Sequence, residues 1–173
     1  MDKRIDGFTL ISARDGMKLY SYKPTIFHPL FKEFAPMLEN RRLRFFRNYF
    51  RPGKYSVYYL EENEELVGMC VVTPGGKGLK LKSTKDDIIL GPYYIRPEHR
   101  GKGYCKTLLQ WVLDIYPGYN YVYAIISNSN IASQRGARAA GLKPYRYVRL
   151  RSPLRMHESC EESASTHTIF RSA

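Results

Sequence analysis

Residues 91–111 read GPYYIRPEHRGKGYCKTLLQW and join a β-prone segment to a segment with helical periodicity. The β-prone part extends from Ile88 to Ile95 and is apolar and aromatic, with Pro92 as an interruption. From Tyr104 to Ile115 the apolar residues recur at helical spacing. The sequence therefore predicts a strand that passes through a basic, glycine-containing turn into a helix.

The turn between these two segments has the features of an anion-binding site. A helix N-terminus offers free backbone N–H groups and the positive end of the helix dipole. Gly101 and Gly103 would let a phosphate approach main chain that a Cβ would otherwise shield. Arg100, Lys102 and Lys106 add positive charge around the same point. This combination suits a pyrophosphate.

Two common nucleotide-binding motifs do not match this turn. A P-loop requires Gly-x-x-x-x-Gly-Lys-Ser/Thr, but the window Arg100–Thr107, RGKGYCKT, has Arg and Cys where both glycines belong. The Rossmann fingerprint also fails, because Gly101-x-Gly103 is followed by Lys106 at the third glycine position. Nucleotide hydrolysis and dinucleotide binding are therefore disfavoured.

The residues Arg100–Cys105 resemble the acetyl-CoA-binding motif of the GNAT superfamily of N-acetyltransferases, Arg/Gln-x-x-Gly-x-Gly/Ala. The preceding segment Ile95–Arg100 is similar to that family's strand exit, and Cys stands where the family has a small Gly or Ala. Asn130-Ile-Ala-Ser133, followed by Gly141-Leu142, resembles the closing family motif of Asn-x-x-Ser and then Gly-Phe. The resemblance covers nearly everything from Met17 onward.

The resemblance implies a mixed α/β fold, the GNAT acyl-CoA N-acyltransferase fold. Its central sheet is mixed but mostly antiparallel, is flanked by helices, and splays between the fourth and fifth strands, counted from Met17. Here those strands are the one that ends at Ile95 and the one that starts near Tyr119, and the cofactor would enter between them. The order of predicted strands and helices along the chain agrees with this class.

The resemblance also implies a set of residues that bind acetyl-CoA. The main chain of Tyr93, Tyr94 and Ile95 would hold the pantetheine and polarise the thioester carbonyl. The turn and first helical turn would hold the pyrophosphate, and Asn130 and Ser133 would contact the far arm of the cofactor. The full implied set is Tyr93, Tyr94, Ile95, Arg100, Gly101, Lys102, Gly103, Tyr104, Cys105, Lys106, Asn130 and Ser133.

The family mechanism is direct attack of a primary amine on the acetyl thioester, with both substrates bound together. Ribosomal-protein N-acetyltransferases of this fold have a Tyr seven residues after the closing Asn and a Glu five residues before it. Ala137 and Ile125 occupy those positions here, so neither role transfers. Tyr145 is the substitute catalytic candidate, chosen from a set that also contains Tyr123, Asp86, Asp87 and His99.

The three cysteines, Cys70, Cys105 and Cys160, have irregular spacing and no CxxC motif. Free thiols and no metal site are therefore expected. Because Cys105 lies at a helix N-terminus among cations, its pKa is expected to be depressed. A depressed pKa would suit a covalent acetyl-cysteine route, whereas a packed residue of the cofactor cradle is the favoured alternative.

The length and composition indicate one globular domain. The chain has 173 residues, of which 43% are hydrophobic and 25% charged. We expect residues 17–173 to form it, with residues 1–16 as either a hairpin around Asp15-Gly16 or a loose extension. No segment is apolar enough to cross a bilayer or to act as a signal peptide, so a cytoplasmic protein without a membrane partner is expected.

The net charge of +12 leaves two classes of function open. The leading expectation is an acetyl-CoA-dependent N-acetyltransferase acting on an undetermined amine acceptor, with an anionic acceptor left open. The alternative is a basic module without catalysis that binds nucleic acid or an anionic surface. Under the leading expectation, any binding of nucleic acid would be weak. The basic, aromatic stretch Asn40–Arg51 would serve the second class as a binding patch, although a solvated amphipathic helix is the favoured interpretation. Monomer and homodimer both remain open.

Overall fold

The computed structural model describes residues 7–24, 34, 55–76, 83–149 and 158–173. These residues form one nine-stranded sheet and two α-helices, which confirms the mixed class. The dipeptide His28-Pro29 predicts the start of a helix, since Pro suits a first helical turn. That predicted helix and the basic stretch Asn40–Arg51 lie outside the described residues, apart from Phe34. The strands are β1 (Phe8–Arg14), β2 (Met17–Tyr22), β3 (Ser56–Glu62), β4 (Glu65–Pro74), β5 (Ile88–Ile95), β6 (Val122–Ser127), β7 (Lys143–Arg149), β8 (Glu158–Ser159) and β9 (His167–Arg171), and the helices are α1 (Tyr104–Asp114) and α2 (Ile131–Ala139).

The sheet has the strand order β1-β2-β3-β4-β5-β6-β9-β7-β8 and is antiparallel except where β5 meets β6. This parallel pair is hydrogen-bonded only from Ile88–Leu90 to Val122–Ala124. Beyond Leu90 the two strands are unpaired, so the predicted splay is present. It separates the fifth and sixth strands of the structure, because the prediction counted from Met17 and so omitted β1.

The separation of β5 from β6 begins at a bulge. On β4, Cys70 lies opposite Tyr93 and Val72 lies opposite Leu90, so β5 carries one extra residue between these two pairs. Gly91 in this bulge has a φ of 118°, and the proline that follows it has no N–H to donate. The mid-strand irregularity predicted from Gly91-Pro92 is therefore confirmed. It lets β5 remain paired with β4 while it leaves β6.

The N-terminal segment forms a hairpin, one of the two alternatives for residues 1–16. β1 and β2 pair antiparallel around Asp15 and Gly16, whose φ angles are 54° and 74°. Two consecutive positive φ angles are typical of the hairpin turn that an Asp-Gly pair favours. Arg14 then connects the hairpin to α1, since its Nη2 lies 3.0 Å from Asp114 Oδ2.

The two helices cover one face of the sheet. The buried side of α1, including Leu108 and Val112, packs on alternate residues of the strands such as Leu90 and Ala124. The opposite face carries two other buried clusters. One of them surrounds Tyr59 and includes Tyr94 of β5, and the other contains Ile89, Tyr123, Val148 and Ile169. No helix within the described ranges is long and apolar enough to cross a membrane.

Candidate active site

The gap between β5 and β6 exposes main-chain groups of β5. Arg96 N–H donates to Val67 O at 3.0 Å, so it points at β4. The carbonyl oxygen of Tyr94 also faces β4, because it lies 2.8 Å from where a Cβ on Gly68 would be. Backbone groups alternate in direction along a strand, so the N–H groups of Tyr93 and Ile95 point away from β4 and into the gap. Of the three residues predicted to hold the pantetheine, Tyr94 thus directs its main-chain groups at β4 and not into the gap.

The turn after β5 begins with a short 3-10 segment, Pro97–His99. The next residue, Arg100, places its side chain back against the end of β5. Arg100 Nε donates to Ile95 O at 3.1 Å, and its guanidinium lies 5.4 Å from the centre of the Tyr94 ring. These contacts use one of the five guanidinium N–H groups. Arg100 is therefore held beside the wide end of the gap with other donors available for an anion.

The glycines of the turn adopt conformations that other residues avoid. Gly101 and Gly103 have φ angles of 80° and 86°, and among the described residues no atom except those of the chain neighbours lies within 4 Å of a Cβ built on either residue. The surrounding space is therefore open to a ligand. Lys102 and Lys106, the basic residues predicted for the pyrophosphate site, are both exposed.

The first turn of α1 supplies unpaired N–H groups. Gly103 is the N-cap and makes no side-chain capping bond. The first helical bond is donated by Thr107 N to Gly103 O at 3.2 Å. The N–H groups of Tyr104, Cys105 and Lys106 precede it and have no partner within the helix. The turn and this helix end together fit a pyrophosphate.

The side chains of Tyr104 and Cys105 point away from this anion site. Tyr104 is 9% exposed, and its hydroxyl donates to Glu62 Oε2. Burial raises the pKa of the Cys105 thiol to about 11. The expected depression of that pKa is therefore wrong, because the sulfur turns into the contact between α1 and α2, where desolvation outweighs the helix dipole and nearby cations. Both residues can contribute only their main chain to a bound phosphate.

Asn130 and Ser133 lie at the start of α2 and organise it. The polar run Ser127–Asn130 before an apolar-periodic segment predicts a helix cap, and Gly141 predicts the end of that helix. The side chain of Asn130 accepts a bond from Ser133 N at 3.1 Å and so caps the helix, and Gly141 follows its end with a φ of 94°. The hydroxyl of Tyr93 donates to Ser133 O at 2.7 Å and so links β5 to α2. Burial raises the pKa of Tyr93 well above its usual value, which keeps the hydroxyl a neutral donor. Contact of Asn130 and Ser133 with the cofactor stays a prediction.

Tyr145, the predicted catalytic residue, lies on β7, separated from β5 by β9 and β6. Three strand spacings amount to roughly 14 Å. Its ring is 40% exposed and lies 6.2 Å from that of Tyr123, which pairs with Ile89 at the closed end of the gap. Its hydroxyl accepts only a long bond from Arg146 Nη2, at 3.4 Å. The structure thus brings Tyr145 and Tyr123 together without placing Tyr145 beside Tyr93, and an acid role for Tyr145 remains a prediction.

Two other acid–base candidates, Asp87 and His99, have structural partners. Asp87 is 2% exposed and accepts bonds from Thr84 N at 2.6 Å and Tyr121 N at 3.2 Å. His99 Nε2 lies 3.3 Å from Glu65 Oε2, and Glu65 Oε1 also lies 3.5 Å from Arg96 Nη1. Glu65 and His99 could join Glu98 around a cation, since the ligand atoms lie within 4.8 Å of one another. Because Glu65 already has cationic partners, the expectation of no metal is retained as a prediction.

Two features of this region escaped sequence reasoning. One is the side chain of Tyr93, which spans from β5 to α2. The other is Arg171, whose guanidinium lies between the rings of Tyr121 and Tyr145. No local pattern marks either feature, because both depend on which strands become neighbours.

Comparison with known proteins agrees with this geometry. The profile of the Acetyltransferase (GNAT) family matches residues 24–141. No curated protein matches the sequence. Three solved structures with a similar fold are AAC(6')-Ib in complex with paromomycin and acetyl-CoA, the ribosomal L7/L12 α-N-protein acetyltransferase RimL, and spermidine N-acetyltransferase from Vibrio cholerae in complex with CoA and spermine.

The three structures match over almost their whole length at low sequence identity. The first has a TM-score of 0.60 at 13% identity and covers 92% of this chain and 94% of its own. RimL has a TM-score of 0.65 at 12% identity, and the match covers 95% of this chain and 93% of RimL. The spermidine enzyme has a TM-score of 0.57 at 12% identity, and the match covers 91% of this chain and 95% of that enzyme. At such identities the likeness concerns the fold, whereas the profile covers more than half of the sequence. The chain therefore belongs to the GNAT family of acetyltransferases.

Proposed function

We propose that this protein is an N-acetyltransferase that moves the acetyl group of acetyl-CoA to a primary amine by direct attack within a ternary complex. The observation that carries the proposal is the direction of the β5 main chain. The N–H groups of Tyr93 and Ile95 face an unpaired gap, and the wide end of that gap leads through the turn to the N-terminus of α1.

The described residues fit the parts of acetyl-CoA in order. The main chain of Gly101–Lys106, with Arg100 and Lys102, would hold the pyrophosphate. The pantetheine would run along the gap beside Tyr93 and Ile95, where an added strand-like partner satisfies both N–H groups. When bound, the cofactor supplies an activated acetyl thioester.

Catalysis in this arrangement rests on positioning and on backbone donors. A fixed N–H group such as that of Tyr93 stabilises negative charge on a carbonyl oxygen without reorganising. Holding both reactants in one site also removes much of the entropic barrier. The family positions for acid and base carry no proton donor here, because Ala137, on the buried side of α2, and Ile125, which packs beside Tyr123 and Ile169, both have aliphatic side chains. Water would then carry the proton from the acceptor ammonium.

The ligands of similar structures support acetyl-CoA and an amine as the substrate pair. AAC(6')-Ib was solved with paromomycin and acetyl-CoA, and the spermidine enzyme with CoA and spermine. The acceptor of this chain remains to be found. A strongly cationic acceptor is disfavoured by the net charge of +12.

The proposal is tested by combining a binding assay with a turnover assay. Acetyl-CoA should raise the melting temperature, because a ligand bound only by the native state stabilises that state. A screen of primary amines should then show acetyl-CoA-dependent release of free thiol for at least one class. Stabilisation by RNA but not by acetyl-CoA, with no thiol release from any amine, would favour the binding module instead.

A further inference from the structure

Arg171 lies at the centre of an aromatic cluster on the face of the sheet opposite the helices. Its guanidinium carbon is 4.4 Å from the centre of the Tyr121 ring and 4.0 Å from that of Tyr145. Tyr123 lies directly opposite Arg171 on β6. We call these four residues the Arg171 cluster. The guanidinium is thus fixed in orientation, with tyrosine rings against it on two sides.

Arg171 has no acidic partner in the part of the chain that the structure describes. No carboxylate oxygen there lies within 4.0 Å of its nitrogens. The nearby buried carboxylate of Asp87 accepts bonds from the loop around Thr84 and from Tyr121 N. Lys143, opposite Arg171 on β7, and Arg146, over the Tyr145 ring, are exposed and add positive charge.

A cavity of about 340 Å³ adjoins this cluster. Tyr121 and Tyr123 belong both to its lining and to the Arg171 cluster. The rest of the lining is polar and consists of Ser83, Thr84, Asp87 and Asn120. Tyr123 also pairs with Ile89 at the closed end of the gap, where β5 and β6 begin to separate. The cluster therefore lies beside the paired segment that closes the gap, and the cavity lies at the N-terminal end of that segment.

We propose that the Arg171 cluster binds an oxyanion of the acceptor, so that the substrate is an amine that also carries a carboxylate or a phosphate. The inference rests on the proposed function, because it places the acceptor beside the closed end of the gap. A guanidinium presents a planar fork of donors that matches both oxyanions. Because the tyrosines fix the plane of that fork beforehand, little side-chain entropy is lost when the anion binds.

The geometry favours an oxyanion over a nucleobase. A base would have to stack against the guanidinium, where the rings of Tyr121 and Tyr145 already lie with their centres 4.4 and 4.0 Å from its carbon. The remaining donors lie along the guanidinium edge and are suited to in-plane hydrogen bonds. The hydroxyl and amide groups of the cavity suit the polar body of a small molecule.

The first experiment compares amines that differ only in the oxyanion. Glucosamine is paired with glucosamine 6-phosphate, and putrescine with ornithine, in the thiol-release assay. The oxyanion-bearing member should have at least a tenfold higher kcat/KM. Arg171→Gln should reduce that kcat/KM by about 10- to 100-fold, mainly through KM, since one or two charge-assisted hydrogen bonds are lost. The same variant should change kcat/KM for the member without the oxyanion by less than about twofold.

Two further variants show whether geometry or charge alone is responsible. Arg171→Lys keeps the charge but loses the planar fork, so it should recover only part of the preference. Lys23→Gln removes one positive charge at the end of β2, which lies near the opposite edge of the sheet from β9. It should leave the preference for the oxyanion-bearing amine unchanged. If Lys23→Gln lowers the preference as much as Arg171→Gln does, net charge is responsible and the inference is wrong. If Arg171→Gln proves too unstable to assay, the oxyanion preference of Arg171→Lys is compared with that of Lys23→Gln, and an equal loss in both variants again means that the inference is wrong.

A binding measurement separates this inference from the proposed function. Inorganic phosphate is titrated in thermal melts of Gly103→Glu, whose turn can no longer take a phosphate, with and without Arg171→Gln. A rise in melting temperature that requires Arg171 supports the site even if no amine is acetylated. Acetyl transfer without oxyanion preference, together with a phosphate response independent of Arg171, overturns the inference and leaves the acetyltransferase intact. RNA binding through Arg171 without any response to phosphate would also overturn it.

Discussion

Gly136 of α2 faces Cys105 of α1 so closely that a Cβ on Gly136 would lie 2.4 Å from the cysteine sulfur. This contact brings the helix that carries the anion site against the helix that follows β6. The Tyr93–Ser133 hydrogen bond joins β5 to the same helix at 2.7 Å. The two strands that separate at Gly91 are thus tied together through α2, which fixes the width of the gap on the helix face.

Gly136→Ala should therefore lower the free energy of unfolding, by up to about 2 kcal/mol. Alanine is intrinsically better in a helix by about 1 kcal/mol, but overpacking a well-packed contact typically costs about 1–3 kcal/mol. In a Cys105→Ala background the nearest side-chain atom is the β carbon, 3.5 Å away, which is an ordinary contact. The same substitution should then be neutral or stabilising. Chemical denaturation of the parent, the two single variants and the double variant measures this coupling. If the two substitutions changed the free energy of unfolding additively, that result would contradict the contact.

The buried environment of Cys105 also predicts its reactivity. With a pKa raised by burial to about 11, the thiol stays protonated at neutral pH. Its alkylation by iodoacetamide should therefore be slow there and should keep accelerating beyond about pH 9, where the rate for an ordinary thiol with a pKa of about 8.5 levels off. Mass spectrometry of labelled peptides across this pH range measures the rate. Cys105→Ala should keep turnover within a few-fold of the parent. Loss of turnover in that variant with cofactor affinity unchanged would revive the covalent acetyl-cysteine route.

The fold was predictable from local patterns where one segment carries the signal. The turn after Ile95, the cap at Asn130 and the Asp15-Gly16 hairpin each depend on residues adjacent in sequence, and the structure shows all three. The short strand β8 was missed because only two residues form it within a polar segment.

The chemistry of individual side chains was less accessible to prediction. The pKa of Cys105 was misjudged because its neighbours in sequence are cations, whereas its neighbour in space is Gly136. The Arg171 cluster joins β6, β7 and β9, whose order in the sheet differs from their order in the chain. Burial and strand order are properties of the whole fold, and short motifs do not report them.

Gly103→Glu should abolish the rise in melting temperature that acetyl-CoA causes. The substitution introduces a carboxylate beside the N–H groups of Tyr104 and Lys106, which have no partner within the helix and are proposed to bind a phosphate. Because Gly103 has a φ of 86°, any side chain there is strained, and part of the effect could be structural. Gly103→Gln is the matched control, with the same strain and size but no charge. It should bind acetyl-CoA more tightly than Gly103→Glu does. Parent-like binding by Gly103→Glu would show that the pyrophosphate lies elsewhere.

Binding of RNA is expected to be weak and to decline steeply with salt. A basic surface without base readout binds mainly through the release of counterions, so the logarithm of affinity falls with the logarithm of salt concentration. Fluorescence anisotropy with a labelled single-stranded RNA, with and without CoA, measures this. Tight binding that persists near physiological salt and ignores CoA would make the nucleic-acid module the leading function.

Tyr145→Phe should reduce turnover by less than about 100-fold, the level at which general acid–base contributions begin. The substitution deletes only a hydroxyl, and the ring stays stacked on Arg171, 4.0 Å away in the parent. Departing CoA thiolate has a conjugate acid with a pKa near that of a free thiol, about 8.5, so it can leave at neutral pH with little help from an acid. With Ala137 and Ile125 at the family's acid and base positions, the rate should instead depend on the neutral fraction of the acceptor, and the pH–rate profile should rise toward the amine's own pKa. Steady-state kinetics of the parent and variant over a range of pH test both statements. A loss of roughly 1000-fold with cofactor affinity unchanged would exceed what one lost surface hydroxyl explains and would assign the acid to Tyr145.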